Sequence, residues 1–410
     1  MRRTNGSRRP VRKRVLIYSH DTYGLGHLRR CLSIAATLSS SPAAPSILIA
    51  TGSPRTQAFE FPPGCDSIKL PAVTKTREGK YLPRTLRLPL ADVVAVRAEM
   101  LRAAARSFRP DLVLVDHAPL GMQGELRPLF EEVARWPRKP RVVLGLREVI
   151  DEADRVREEW DRAGAWTALE RIYDRVLVYG DPHVLTTADE LGLASRFPGK
   201  VSFVGYLGRP IPRPLSRPGE PRIVVTAGGG GDGQDVLRAY AAFLESLDRP
   251  APFRSVVVTG PFVSSRRRQE ISERYAALRH PVDLLTFTDR MEEMIGSARG
   301  VVSMAGYNTV VEILSAGVPA LLVPRQRPRL EQAIRAARLA GLGGVEACTA
   351  DACTPERLAR FVGRAMAEAP KPARVSLEGL ERTAEELLHL LDRPKEPIWG
   401  SREDHRVAIG

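Results

Sequence analysis

A histidine that follows two glycines is the first residue of this chain whose type and position suggest chemistry. Val15 to Ser19 reads as a strand, and Gly24, Gly26 and His27 separate it from a helix with apolar residues at a 3.6-residue period. Glycines let a loop approach a ligand closely, and the positive end of a helix disfavours protonation of an imidazole. We expect His27 to be a neutral base facing a cleft. The alternative is that it caps the helix or packs on its inner edge.

A carboxylate and an imidazole end a second predicted strand. Leu112 to Asp116 is apolar up to Asp116, and His117 follows it. Either side chain could bind an acceptor or serve as an alternative base. Because neighbours on a strand point to opposite faces, we expect the two to act separately rather than as a pair.

A run of glycines follows a later strand, Arg222 to Thr226, and precedes a helix that should begin near Gln234. Free amides of Gly228, Gly229 and Gly230, together with the helix dipole, would attract a phosphate. No Gly-Lys-Ser/Thr sequence follows, so this is not a Walker loop. A flexible surface turn is the alternative.

The segment from Ser303 onward combines a turn at Gly306, a helix that should begin at Thr309, and a buried strand. Glu312 could accept hydrogen bonds from a ribose diol, but Thr309 and Glu312 also have the spacing of a capping box. Glu331 and Gln332 follow the strand, and their side chains suit sugar hydroxyls. The order of these features is typical of a nucleotide-sugar pocket at the end of an open sheet.

Charge is concentrated at the N-terminus. The chain has 410 residues and a net charge of +14, and residues 1–14 carry seven basic residues and no acid. The remaining chain is only moderately basic and lacks an aromatic-rich basic face or zinc spacing, so we do not expect a nucleic-acid partner. The tail should be a solvated, disordered leader, or else a contact for anionic lipid headgroups.

Neither a leader peptide nor a membrane span is indicated. The apolar run after the tail is too short for a signal-peptide core, and no run approaches the 18 residues of a span. The four cysteines lack C-x-x-C spacing, which favours reduced thiols. We expect a cytoplasmic protein, with membrane association through the tail as an open alternative.

Strands and helices alternate along the whole chain, which predicts an α/β protein with parallel sheets. Six strand candidates precede a Pro- and Gly-rich linker at 205–219, and six follow it. We therefore predict two doubly wound, Rossmann-like domains, 15–214 and 215–392, facing each other across a cleft, between a basic tail (1–14) and a loosely ordered end (393–410).

These features together resemble the family-28 glycosyltransferases of the GT-B fold, most strongly between Arg222 and Leu339. The family includes the enzyme that adds N-acetylglucosamine to lipid I and the plant galactolipid synthases. The resemblance implies that Gly24, Gly26 and His27 form the acceptor-side loop with the base. It also implies that the glycines at 228–230 bind the donor phosphates.

The same resemblance implies a nucleoside site in the second domain. Thr288 would meet a uracil through its backbone, with Met291 beside it. Gly306 and Thr309 would form the turn and helix start next to the nucleotide, and Glu312 would hold the ribose.

Two positions depart from the family's pattern. Gln332 matches the second of two glutamines that contact the donor sugar, but Glu331 occupies the place of the first. Asp232 stands where the phosphate loop more often has a hydroxyl residue, and we expect it to face solvent. Arg209 matches an arginine just before the hinge and is assigned to the donor phosphate.

The sequence therefore predicts a glycosyltransferase without a cofactor or metal. We expect inversion, a UDP-sugar donor in the second domain, and an acceptor in the first, either lipid-linked or anionic. Two alternatives stay open: a UDP-N-acetylglucosamine 2-epimerase-like enzyme, which needs carboxylates in the cleft, and a nucleotide-sugar-binding protein without catalysis.

Overall fold

The first half of the protein is built on one parallel sheet. The computed structural model describes residues 12–21, 26–76, 80–184, 186–209, 211, 220–229, 231–369 and 371–393. The strands of the first half are β1 (Arg14–Ser19), β2 (Ser46–Thr51), β3 (Cys65–Lys69), β4 (Val73–Lys75), β5 (Tyr81–Pro83), β6 (Leu112–Asp116), β7 (Arg141–Arg147), β8 (Arg175–Tyr179) and β9 (Val201–Phe203). Seven of them form a sheet in the order β3-β2-β1-β6-β7-β8-β9, and β4 and β5 form a separate antiparallel pair.

Helices connect these strands, as parallel pairing requires. They are α1 (Gly26–Ser39), α2 (Leu90–Phe108), α3 (Arg127–Ala134), α4 (Ala153–Ala163), α5 (Ala165–Arg171), α6 (Thr187–Glu190) and α7 (Leu193–Arg196), with short 3₁₀ turns at Thr56–Ala58 and Met122–Gly124.

The second half repeats this design. Its strands are β10 (Arg222–Thr226), β11 (Arg254–Val258), β12 (Val282–Leu285), β13 (Gly300–Ser303), β14 (Ala320–Leu322) and β15 (Val345–Ala347), in the order β12-β11-β10-β13-β14-β15. Its helices are α8 (Gln234–Glu245), α9 (Ser265–Ala276), α10 (Met291–Gly296), α11 (Tyr307–Ala316), α12 (Glu331–Leu339), α13 (Pro355–Ala367) and α14 (Gly379–Asp392).

The predicted fold class is confirmed, because both sheets are parallel and carry a core on each face. Along β1, Val15 and Ile17 belong to one core, and Leu16 and Tyr18 belong to the other. The twelve strands expected from apolar runs are all present within two residues of their predicted ends. The edge strand β3 was missed because its polar residues and partial exposure leave no continuous apolar run.

The last helix returns to the first half. α14 packs against α1 and β6, although the sequence assigned it to the second domain. Gly379 N also donates to Tyr206 O over 3.0 Å, where the chain leaves the first half. The boundary near 215 stays a prediction, since most of the linker lies outside the described residues, as do 1–11 and 394–410.

The carboxyl ends of the two sheets face each other and touch. The hydroxyl of Tyr307, the first residue of α11, donates to Tyr179 O at the end of β8 over 3.1 Å. One apolar core continues from α1 through Tyr307 to α11 and α14. The side chains beyond the strand ends therefore share one cleft. Within the described ranges, no helix is long and apolar enough to cross a bilayer.

Candidate active site

His27 lies in the first turn of α1 and is oriented by a carboxylate from another strand. Its Nδ1 is 2.5 Å from Oδ2 of Asp116, the last residue of β6. An ionised carboxylate only accepts hydrogen bonds, so the proton of the imidazole is on Nδ1 and the lone pair is on Nε2. The His27 side chain is 15% exposed, and Asp116 is buried. This arrangement leaves Nε2 as the atom that can accept a proton.

Arg30 keeps Asp116 ionised. Its Nε donates to Oδ1 over 2.9 Å and its Nη2 to Oδ2 over 2.8 Å, which is a bidentate pair. Burial alone would raise the pKa of Asp116, but Arg30 and His27 together hold it well below its usual value. Burial lowers the pKa of His27 more than Asp116 raises it, so the imidazole is neutral near pH 7.

The structure brings Asp116 to His27 and not to its neighbour His117. His117 sits at φ 75°, a left-handed backbone that a non-glycine residue adopts rarely, and its N donates to Gly145 O over 2.8 Å. Its Nδ1 is enclosed and has no hydrogen-bond partner. Arg30 was missed by the sequence reading, although it lies one helical turn after His27 on the same face.

A third histidine completes a cluster with these two. The ring centroid of His20, which follows β1, is 5.7 Å from that of His27 and 5.4 Å from that of His117, and the latter two are 5.3 Å apart. His20 Nδ1 lies 3.3 Å from the Tyr18 hydroxyl. Burial lowers the pKa values of His20 and His117 well below the usual value. In the sequence, the only indication that His20 belongs to the site is its position directly after a predicted strand.

The glycine loop of the second half follows β10 and precedes α8, as predicted. Gly228 has φ 59° and its N donates to Thr226 Oγ1 over 3.2 Å. Gly229 O accepts a hydrogen bond from Phe262 N over 3.0 Å. Gly230, like Gly24 of the first loop, lies outside the described residues. Gly26 is the first residue of α1, and its O accepts from Asn308 Nδ2 over 3.1 Å.

Glu312 faces the first half rather than its own helix end. The predicted capping box is wrong, because α11 begins at Tyr307 after Gly306, so Thr309 is already inside the helix. Glu312 Oε1 accepts from Arg29 Nη2 over 2.7 Å, while Oε2 is buried without a partner. Burial raises the pKa of Glu312, and Arg29 opposes that rise.

A cavity of about 70 Å³ lies at this contact. It is lined by Arg29 and Glu312 and by Arg209, whose Nη2 donates to Thr37 Oγ1 over 3.3 Å. Glu292, next to Met291 at the start of α10, also lines it. Thr288 lies just before α10, and its Oγ1 accepts from Arg290 N over 3.0 Å. Of the residues assigned to the nucleoside, Glu312 lines this cavity, whereas Thr288, Met291, Gly306 and Thr309 do not.

Glu331 and Gln332 begin α12 and are both buried. Glu331 Oε1 is bound by Arg325 Nη2, and Glu331 Oε2 is buried without a partner. Gln332 Oε1 accepts from Arg325 N over 3.4 Å. Asp232 is exposed, as expected, and its carboxylate is also 3.0 Å from Arg325 Nε. It lines a second cavity, of about 340 Å³, with Gly233, Met304 and Arg325.

The site contains one further charged residue that the sequence reading missed. Arg147 ends β7, beside the strand that carries Asp116. A single arginine at a strand end has no local pattern that would reveal it. Among the described residues, no group of three or more His, Cys, Asp or Glu side chains is arranged to hold a metal ion.

Comparison with known sequences gives a family for the second half and relatives for more of the chain. Residues 223–390 match the family model described as glycosyltransferase family 28 C-terminal domain. Two relatives are named UDP-N-acetylglucosamine--N-acetylmuramyl-(pentapeptide) pyrophosphoryl-undecaprenol N-acetylglucosamine transferase. The Rhizobium etli protein is 31% identical over 157 residues, 38% of this chain and 41% of that protein, so the match spans less than half of its length. The Mycobacterium tuberculosis protein is 28% identical over 299 residues, 71% of this chain and 68% of that protein.

Solved structures share the fold over nearly the whole chain. MurG of Acinetobacter baumannii has a TM-score of 0.56 at 15% identity, covering 93% of this chain and 98% of that one. A putative UDP-N-acetylglucosamine 2-epimerase from Listeria monocytogenes has a TM-score of 0.60 at 13% identity, covering 94% and 99%. At these identities the likeness concerns the fold alone, which transferases and epimerases share. Residues 223–390 therefore match a family-28 glycosyltransferase C-terminal domain, and the chain as a whole has the GT-B fold.

Proposed function

We propose that this protein transfers a sugar from a UDP-sugar to an acceptor hydroxyl, with inversion and without a metal ion. The observation that carries the proposal is the hydrogen bond between His27 Nδ1 and Asp116, which leaves a neutral Nε2 as a general base in the cleft. The names of the relatives specify a UDP-N-acetylglucosamine donor, which supports the choice of nucleotide.

The reaction is a single displacement. Nε2 of His27 takes the proton of the acceptor hydroxyl, and the acceptor oxygen forms a bond to the anomeric carbon of the donor. The bond from that carbon to the diphosphate breaks, and its electron pair leaves with UDP. One displacement from the opposite face inverts the anomeric configuration. Asp116 stabilises the imidazolium that forms.

Two carboxylates are suited to hold the donor. Glu312 and Glu331 each use one oxygen for an arginine and keep a buried oxygen without a partner. A buried acceptor without a donor is costly, and ribose and sugar hydroxyls are donors that would satisfy it. We assign Glu312 to the ribose diol and Glu331, with Gln332, to the sugar.

The charge of the leaving diphosphate would be stabilised by the protein itself. The N-terminus of α11 presents backbone amides at the sheet edge that also carries the glycine loop, where the Gly228 amide is bound to Thr226 Oγ1. Arg209 adds a positive charge at the small cavity. Such preorganised donors can stabilise developing charge without a metal ion.

The acceptor is proposed to be lipid-linked, as the relatives' names state for their own acceptor. The stretch 80–96 supports a membrane surface nearby. It exposes four large apolar side chains and three basic ones: Leu82, Leu86, Leu88, Val96, Lys80, Arg84 and Arg87. The guanidinium of Arg84 lies 5.6 Å from the ring centroid of Phe262, which is bonded to the glycine loop, so the stretch lies at the rim of the cleft.

Sedimentation with vesicles tests that surface. The protein should bind vesicles that contain phosphatidylglycerol more strongly than neutral phosphatidylcholine vesicles, because anionic headgroups attract the basic side chains. The double variant Leu86→Ser/Leu88→Ser should lose most of this binding. Equal binding of both vesicle types by wild type and variant would remove the membrane part of the proposal.

Calorimetry with UDP-, dTDP- and GDP-sugars tests the donor site. Nucleotide-sugars of one class should bind. Glu312→Ala should weaken their binding free energy by about 1 to 3 kcal/mol, the scale of a lost charged hydrogen bond. Turnover in excess EDTA, with the product anomer assigned by NMR, then tests metal independence and inversion. A folded protein that binds none of these nucleotides would refute the transferase proposal.

An epimerase-like activity is the second candidate, because the Listeria monocytogenes structure shares the fold. That reaction needs a free carboxylate in the cleft to move a proton. Asp116, Glu148 and Glu331 are each bound to an arginine here. Release of a free sugar epimer without an acceptor would support this candidate. Donor binding without turnover, unchanged by His27→Ala, would instead indicate a non-catalytic binding protein.

A further inference from the structure

Arg147 carries a positive charge at the carboxyl edge of the first sheet. It is the last residue of β7, paired in register with Tyr179, and Gly145 of the same strand pairs with Asp116. The carboxyl ends of β6 and β7 thus place Arg147 next to the strand end that orients His27. Burial is the main cause that lowers the pKa values of His27 and His117, and the Arg147 guanidinium lowers each further.

The carboxylates near Arg147 are already bound to other arginines. Glu148 accepts from Arg335 Nε and, over 3.2 Å, from Arg335 Nη2, and Glu331 is bound to Arg325. Among the described residues, no carboxylate forms an ion pair with Arg147, and its Nε is enclosed without a hydrogen-bond partner. Arg147 is therefore a half-buried cation without a carboxylate partner among the described residues.

Burial and two neighbouring arginines disfavour the charged form of Arg147, but the side chain keeps its proton. Burial, then Arg30 and Arg335, lower the pKa of Arg147 to about 10, so it stays protonated at neutral pH. A half-buried cation without a counter-charge is unfavourable, and a ligand that supplies the opposite charge would compensate for it. A guanidinium offers a planar fork of donors that matches phosphate oxygens.

We propose that Arg147 binds a phosphate oxyanion of a substrate next to the reacting centre, an inference that rests on the proposed transferase function. Two sources share this chemistry: the diphosphate that leaves the donor, and a phosphate group on the acceptor. In both cases Arg147 touches the substrate directly, unlike Arg30, which acts through Asp116.

Calorimetry with three probes distinguishes the sources. Uridine, UDP and inorganic pyrophosphate are titrated into the wild type, Arg147→Gln and Arg147→Lys, and pyrophosphate also into UDP-saturated protein. The control is Arg171→Gln, which removes an exposed arginine from the end of α5. Arg147→Gln should weaken the binding of UDP or pyrophosphate by about tenfold or more and leave the affinity for uridine unchanged. The affinity of Arg147→Lys should lie between those of Arg147→Gln and the wild type.

The pattern of losses assigns the anion. If Arg147→Gln weakens UDP and pyrophosphate competes with UDP, the oxyanion belongs to the donor. If UDP binding is unchanged and the variant loses pyrophosphate binding to UDP-saturated protein, the oxyanion belongs to the acceptor. Either result supports the proposal. If Arg147→Gln binds all probes like the wild type and the control, the proposal is overturned.

Two further readouts distinguish this proposal from the proposed transferase function and from a purely structural role of Arg147. A wild type that binds pyrophosphate but neither UDP nor uridine would refute the UDP-sugar donor, and loss of that pyrophosphate binding in Arg147→Gln would still support the Arg147 site. Thermal unfolding separates binding from a structural role. Loss of an uncompensated, half-buried charge should leave the melting temperature of Arg147→Gln equal to or above that of the wild type, whereas a structural role would lower it.

Discussion

Arg29 and Glu312, 283 residues apart in sequence, form an ion pair across the cleft, with 2.7 Å between Nη2 and Oε1. Arg29 belongs to α1 of the first half, beside His27, and Glu312 belongs to α11 of the second. The pair therefore connects the helix that carries the base to the carboxylate proposed to hold the ribose. The two halves of the cleft are linked at the nucleoside site itself.

Removing Arg29 should make nucleotide binding sensitive to acid. Burial raises the pKa of Glu312 and Arg29 lowers it, so Arg29→Gln should raise that pKa further. A protonated Glu312 accepts fewer hydrogen bonds from a ribose. UDP affinity of the variant should fall as the pH is lowered from 7.5 to 5.5, by about tenfold, while wild-type affinity changes less.

Calorimetry at both pH values measures this effect. The matched control is Arg106→Gln, which removes an exposed arginine from α2 without touching the cleft. Its pH dependence should equal that of the wild type. If Arg29→Gln also behaves like the wild type, Glu312 does not depend on Arg29 and the link between the halves has no role in binding.

The pair of His27 and Asp116 predicts both a rate loss and a pH profile. Asp116→Asn removes the negative charge that supports the imidazolium, so the rate should fall roughly 10²- to 10⁴-fold, as in other general-base sites. Since burial lowers the pKa of His27, wild-type kcat/KM should stay constant down to pH 6.5 and fall only below it. As the pH drops further, His27 is protonated and can no longer accept a proton.

Initial-rate kinetics between pH 5 and 9 give this profile. Asp116→Asn should move the acidic limb to still lower pH, because Asp116 raises the pKa of His27. The control is His183→Gln, because the His183 side chain is 91% exposed and its Nδ1 lies 2.9 Å from Asp181 Oδ1, apart from the pair of His27 and Asp116. An unchanged profile in Asp116→Asn would show that Asp116 does not tune the base.

Much of the fold could be predicted from the sequence, because parallel strands buried on both faces are nearly continuous apolar runs. β1, β6 and β13 are such runs, and their ends were predicted closely. The return of α14 to the first half could not be predicted in this way. Its amphipathic pattern shows that one face is buried, but not which sheet covers that face.

The site was predictable only where a local pattern carried the signal. His27 and the loop at Gly228 and Gly229 follow strands and precede helices, which is visible in sequence. The partner of Glu312 was not visible, because Arg29 is 283 residues away and a capping-box pattern offered a local explanation. Arg147 has no local pattern, and its importance follows from which carboxylates are already bound to other arginines.

The buried pair of Arg335 and Glu148 should stabilise the contact between the halves. Both side chains are 1% exposed, and Arg335 also donates to Ala305 O over 2.9 Å. Arg335→Met leaves a buried carboxylate without its partner, which should lower the free energy of unfolding by about 3 to 5 kcal/mol. Urea unfolding followed by circular dichroism measures this change.

A neighbouring arginine on α12 provides the matched control. Arg338 also reaches the first half, where it pairs with Glu190, but this pair is more exposed. Arg338→Met should therefore change the free energy of unfolding by at most about 1 kcal/mol. Equal losses in the two variants would show that burial of the Arg335 pair adds nothing.

The histidine cluster should make the protein sensitive to acid. Burial lowers the pKa values of His20 and His117 well below 6.5, so the folded protein keeps them neutral while the unfolded chain binds protons below pH 6.5. The unfolded state then binds more protons, and stability falls as the pH drops. At pH 5.5 each histidine should reduce the free energy of unfolding by roughly 1.4 kcal/mol relative to pH 7.5.

Urea unfolding at both pH values should show this loss in the wild type and in His183→Gln, and a smaller loss in His20→Gln/His117→Gln. Identical losses in all three proteins would place the acid sensitivity outside the cluster.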